Sequence, residues 1–148
     1  PRSTRQVCRQ RQMCIRDRGK ITGNIDWLNI AHKTLKACSD QAANNPTGFT
    51  NMLTGSLLDL KCCKEFIIVL DKNKHDCKKI LKKIKKEYYP HLIIIVKDIN
   101  DNALVEDIAP WIDSYMVINN KPTYFVCTNF TCKRPTNDLK KALTSLNE

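Results

Sequence analysis

Two apolar runs constrain this chain more than anything else in it: Glu65 to Leu70 (EFIIVL) and Leu92 to Lys97 (LIIIVK). Both are continuous rather than alternating and rich in Ile and Val, the composition of strands covered on both faces. Between them, Lys74 or His75 to Tyr89 places Cys77, Ile80, Leu81, Ile84 and Tyr88 on one helical stripe, with Pro90 as terminator. Strand, helix and strand joined by a crossover of this length make a right-handed parallel βαβ unit, so the predicted fold class is α/β. The residues after Leu70 are DKNKH, with no glycine-rich loop, which excludes a dinucleotide phosphate cradle.

Charge suggests nucleic acid until it is divided by position. The formal net charge is +10, but residues 1–20 hold 7 of the 25 bases and 1 of the 15 acids, which leaves the rest of the chain at only +4. Lys78, Lys79, Lys82, Lys83, Lys85 and Lys86 crowd one side of the expected helix. Without interleaved exposed aromatics or a recognition motif they read as a solvated face. Nucleic acid is therefore not an expected partner. Within the basic start, Met13 to Arg18 (MCIRDR) matches one reading frame of a transposase adapter used in sequencing libraries. Residues 1–22 are accordingly set aside as a non-native or disordered segment, an expectation that the encoding DNA can check. No run of about 18 apolar residues is present, so no membrane span is expected.

Downstream, Asp26 to Ala43 repeats apolar residues at helical spacing through Trp27, Leu28, Ala31, Leu35, Cys38 and Ala42. Asn45-Pro46 interrupts it, and a second helix from Thr47 or Gly48 to Leu60 would bury Phe49, Met52, Leu53, Leu57 and Leu58. The two make a helical hairpin over 23–61, with His32 at its surface. Residues 62–148 then form a small α/β subdomain. After the βαβ unit come a short helix, Ala103 to Ile112, with Leu104, Val105, Ile108 and Trp111 inward; a short strand at Tyr115 to Ile118; and a last helix from Asn137 to Leu146. Asp98, Asp101, Glu106, Asp107 and Asp113 match no calcium-loop pattern and read as solvated.

Pro122 and Pro135 bracket two further runs, Tyr124 to Cys127 and Phe130 to Cys132, which predict a β-hairpin around Thr128 and Asn129. A two-residue loop there sets Cys127 diagonal to Cys132, about 7 Å away. A four-residue loop sets them opposite and permits a disulfide. The favoured expectation is two unbonded, packed cysteines, since free Cys is commonly buried. A redox or metal role for this C-x4-C is the alternative, and Cys127 and Cys132 are the one candidate thiol pair. Adjacent Cys62 and Cys63 lack the spacer of a redox motif. Asn129-Phe130-Thr131 fits a glycosylation sequon, whose use a reduced cytoplasmic setting would preclude.

The phrase PTYFVCTNFTCKRPTNDL, residues 122–139, resembles the C-terminus of thioredoxin-domain proteins related to spermatogenesis-associated protein 20, and KEFIIVLD and APWIDSY precede it in the same order. The resemblance covers roughly Asn24 to Glu148. It implies a parent with a thioredoxin-like domain followed by a six-hairpin α/α toroid, of which the helical hairpin would be the last unit. The partners it implies are those upstream domains, and it suggests redox or carbohydrate chemistry for the parent. Here no thioredoxin cysteine motif or toroid acid has a counterpart. The residues assemble no nucleophile, base or metal set, so no catalytic residue, cofactor or metal is expected, and the segment itself is read as non-catalytic.

Overall fold

The computed structural model describes residues 14–60, 63–89 and 92–147, and the chain divides into two compact units, Pro1–Cys62 and Cys63–Glu148. In the first unit, α1 covers residues 14–22, α2 Ile25–Ala37, α3 Ser39–Asn44 and α4 Thr50–Leu60, with a 3₁₀ turn at Pro46–Phe49. Asn24 starts α2 because its Oδ1 accepts the Asp26 and Trp27 backbone N–H groups at 2.9 and 3.3 Å, satisfying donors that have no partner inside the helix.

The single helix expected over 26–43 is broken at Cys38. The Cys38 N–H turns back to the Leu35 carbonyl at 3.2 Å, and the Ser39 hydroxyl donates to the Lys36 carbonyl, competing with the helical ladder. Cys38, Ala42, Phe49 and Met52 bury a small core, while the side chains of Leu57 and Leu58 lie outside those described. Residues 14–22, set aside on sequence as non-native or disordered, are helical. Arg16 is buried, with Nη1 donating to the Gly55 carbonyl at 3.2 Å, and the Arg18 guanidinium sits 5.2 Å from the Trp27 ring. Long basic side chains can pack through their stems and aromatic contacts, so an apolar period was not required. Residues 1–13, with Cys8, lie outside those described.

The second unit is built on a mixed four-stranded sheet of order β2-β1-β3-β4, with β1 Lys64–Leu70, β2 Leu92–Asp98, β3 Thr123–Thr128 and β4 Thr131–Cys132. The α/β class and the parallel pairing of β1 with β2 hold, in register from Lys64↔Leu92 to Leu70↔Asp98. On one face, α5 (Cys77–Ile84) and α7 (Leu139–Thr144) cover Phe66, Ile68, Leu70, Tyr124 and Val126. On the other, α6 (Ala103–Ile108) and a 3₁₀ turn at Pro110–Ile112 cover Ile67, Val69, Ile95, Phe125 and Cys127. Burial on both faces is why β1 reads as one apolar run.

Several boundaries move. α5 starts at Cys77 because Asp76 caps it, its Oδ1 accepting the Lys79 N–H at 3.1 Å. It stops at Ile84, so Tyr88 is 88% exposed instead of inward. Like-charged lysines at i and i+4 disfavour further turns. Pro90 and Cys62 lie outside the described residues. α6 ends at Ile108 because Ala109 precedes a proline and leaves the helical region, at φ −132°. The 3₁₀ turn that follows buries Ala109 and Ile112, while Leu104 and Ile108 are 76% and 53% exposed, correcting the inward face expected of them. Tyr115 to Ile118 form only an isolated bridge, Ile118↔Lys121, across Asn119 and Asn120, both at positive φ. Asp138 caps α7, so the helix starts at Leu139, two residues after the expected start at Asn137.

The acidic residues are not all solvated. Lys97 on β2 is buried, and its ammonium lies 3.0 Å from Glu106, 3.6 Å from Asp113, and within hydrogen-bond reach of the Ile112 and Asp113 carbonyls. Asp98 is buried at the end of β2, where Asp98 Oδ1 accepts the Lys72 and Asn100 N–H groups. Such groups reach the interior because partners replace water.

Candidate functional site

The hairpin turns one residue later than expected. Asn129 and Phe130 take φ of 50° and 64°, the left-handed values that a two-residue type I′ loop needs at both central positions. Thr128 therefore pairs with Thr131 and Cys127 with Cys132. The Lys133 N–H donates to the Val126 carbonyl at 2.9 Å, which makes the cysteines a pair without direct ladder bonds, where side chains approach more closely. They form a disulfide with Cα atoms 3.8 Å apart. The expectation of two unbonded thiols is thus overturned: a one-residue slip in the turn changes a diagonal relation into an opposed one.

An aromatic Phe130 is costly at positive φ and persists because its surroundings hold it. Its ring meets Trp111 edge-on at 5.0 Å, and its N–H donates to Glu65 Oε2 at 3.4 Å. Trp111 also contacts Tyr115, which packs on Phe125 with centroids 4.7 Å apart. The Tyr115 hydroxyl lies 3.0 Å from Cys132 Sγ. Burial, then the charge of Glu65, raise the Tyr115 phenol above its ordinary value.

Cross-strand register completes the site. Ile93, Glu65, Cys127 and Cys132 stand in one row across the sheet, so Glu65 is the direct neighbour of Cys127 on the same face. Glu65 and Cys127 are both 0% exposed, whereas Cys132 is partly exposed. The cysteine pair is legible in the sequence, whereas the roles of Glu65 and Tyr115 beside it are not. The only sequence signal for Glu65 was a charged residue opening an apolar run.

Other groups are less suited to thiol chemistry. Cys77 opens α5, but burial pushes its thiol above the ordinary value despite nearby Lys72, the opposite of an activated cysteine. Cys63 and Cys38 are buried and unbonded to sulfur, and Cys14 is exposed. Asp71 directly follows β1; burial pushes its carboxyl up, but hydrogen bonds from the Asn73 N–H, Lys74 and Asn100 outweigh that and hold it below the usual range. Among the described residues no three His, Cys, Asp or Glu gather as a metal site, and no helix is long and apolar enough to cross a membrane.

Burial also raises the Tyr124 phenol, and burial followed by the hydrogen bond to Glu87 pushes Tyr89 up to about 12. A phenol with a higher value folded than unfolded contributes stability that is complete below the ordinary value of about 10 and lost as pH rises through the folded value. The second unit should therefore lose stability above about pH 10. Phenolate absorbance should rise together with loss of far-ultraviolet ellipticity; full phenol titration at constant ellipticity would contradict this.

The second unit is a mixed α/β domain whose edge hairpin carries a disulfide beside a buried carboxyl. The chain is distantly similar to spermatogenesis-associated protein 20 of Homo sapiens and of Mus musculus, 22% identical in each case over 118 residues, which is 80% of this chain. It spans about 15% of the length of those relatives. No family model matches it, and no solved structure does.

Proposed function

We propose that this chain is a non-catalytic C-terminal segment of a larger protein like spermatogenesis-associated protein 20, cytoplasmic, with 23–61 the remnant of an α/α toroid and 62–148 a subdomain that packs on upstream domains. Any redox or carbohydrate chemistry belongs to those domains. The observation that carries the reading is apolar surface left in water: Leu104 and Ile108 lie one turn apart on α6, and Met116, 71% exposed, follows in the next loop. In a full-length protein, peroxide should oxidise Met116 severalfold more slowly than in this chain alone. Equal rates would remove the packing role.

The disulfide favours a second reading, in which Cys127 and Cys132 act as a thiol switch. In a cytoplasmic setting a disulfide is usually transient or redox-sensing rather than structural. Closing so short a loop adds only about 2 kcal/mol in the chain-entropy account. Dithiothreitol should therefore free two alkylatable thiols while the sheet stays folded, and oxidised glutathione should restore the bond. A bond that resists reduction in the folded protein, or fails to re-form, would leave it a static clip. In the disulfide the two sulfurs are bonded to each other, which disfavours a metal clip.

A further inference from the structure

We propose that the Cys127–Cys132 bond opens by attack at Cys132, and that Glu65 carries the proton of the Cys127 sulfur. This rests on the thiol-switch reading and assigns its parts. Thiol exchange requires the incoming thiolate to reach one sulfur in line with the bond, and access selects which. Cys127 is 0% exposed beneath Trp111 and Tyr115, while Cys132 on the two-residue edge strand is partly exposed. Only Cys132 offers an approach.

The electron count then fixes what the interior must handle. An external thiolate attacks Cys132 Sγ, a mixed disulfide forms there, and the Cys127–Cys132 bond breaks with its electron pair on Cys127 Sγ. A second thiolate of a dithiol reductant releases Cys132, so the reductant is oxidised to its disulfide and the cysteine pair is reduced. A thiolate stranded at Cys127, shielded from water, is costly unless it takes up a proton. Its cross-strand neighbour on the same face is the Glu65 carboxyl, with Cβ atoms of opposed residues about 5 Å apart. In its acid form Glu65 delivers that proton during opening. During closure its carboxylate takes the proton back as Cys127 Sγ attacks the mixed disulfide at Cys132, and the external thiolate leaves.

Among the described residues, the other ionisable groups on this face are Tyr115 and Lys97. The Tyr115 hydroxyl lies 3.0 Å from Cys132 Sγ, and its ring packs in the same cluster as Cys127. Lys97 lies opposite Val69, about 13 Å along the strand from Glu65, and is engaged with Glu106 and Asp113. Ile93, the β2 neighbour of Glu65, carries no charge. Tyr115 can donate to the Cys132 sulfur and so hold it toward solvent, as a positioning residue.

The test uses this chain and glutathione as the probe. In Cys127→Ser the remaining Cys132 should form a mixed disulfide with oxidised glutathione readily, and in Cys132→Ser the remaining Cys127 should resist; the reverse order overturns the assignment of the attacked sulfur. Starting from the glutathione adduct at Cys132, ring closure in Glu65→Gln should be slower by about a hundredfold near pH 7, with the difference vanishing as pH passes the ordinary thiol value near 8.5. Tyr115→Phe should keep the wild-type pH profile. If Glu65→Gln does not fold, the wild-type profile decides: a closure rate that already rises with pH well below the ordinary thiol value supports Glu65, and one that rises only as an unassisted thiol ionises overturns it. A folded Glu65→Gln with wild-type closure also overturns the proton role while leaving the switch intact. Failure of the wild-type bond to open and close at all removes the switch itself.

Discussion

Phe66→Ala should destabilise the second unit by about 4 kcal/mol, read as a lower denaturant midpoint with an unchanged slope. Phe66 sits on the central strand at 0% exposure and stacks on Tyr124 with centroids 5.9 Å apart. Its removal forfeits the transfer free energy of the ring and leaves a cavity between the sheet and the α5 and α7 layer. A domain of this size holds roughly 5–15 kcal/mol in total, so the loss takes a large share of it. A change below about 1 kcal/mol would mean that the Phe66 face is not packed as described.

Lys97→Ala should cost about 3 kcal/mol, the lower end for breaking a buried ion pair. Its ammonium ties two carbonyls and two carboxylates of the α6 and 3₁₀ segment to β2, so deletion removes their shared donor. The figure is not larger because Asp113 is mostly in water and Glu106 partly so, and solvent replaces some of what is lost. Lys97→Met keeps the stem and should cost less than Lys97→Ala. The signature is local: amide exchange of Ile112 should accelerate more than that of Ile68 in β1. Equal acceleration at both would mean that Lys97 supports the whole unit, not this one layer.

Phe66 and Lys97 differ in how far local sequence reveals their place in the fold. Phe66 and its strand could be read directly, because a run of apolar residues at strand length has few places to go except between two layers. The parallel βαβ unit followed from the same runs and the helical stripe between them. Lys97 could not be read, because it looks like a polar strand end until the chain folds α6 back over it. The exposed side of α6 was misread for a related cause: Leu104 and Ile108 have core-like spacing, but Pro110 turns the chain and brings Ala109 and Ile112 inward in their place.

The site shows the same division more sharply. Residue types along a strand and their spacing set which segments pair and that Cys127 and Cys132 belong to one hairpin, since periodicity and turn chemistry are local. Whether those sulfurs meet depended on one residue of register at Asn129 and Phe130, chosen by the Trp111 ring and the Glu65 carboxylate from distant parts of the chain. Local sequence thus determined the strands, the layers and the cysteine pair of this protein. Only tertiary structure decided the bond between those cysteines and the buried carboxyl beside it, because a two-residue pleat turns a single step of register into a different set of neighbours.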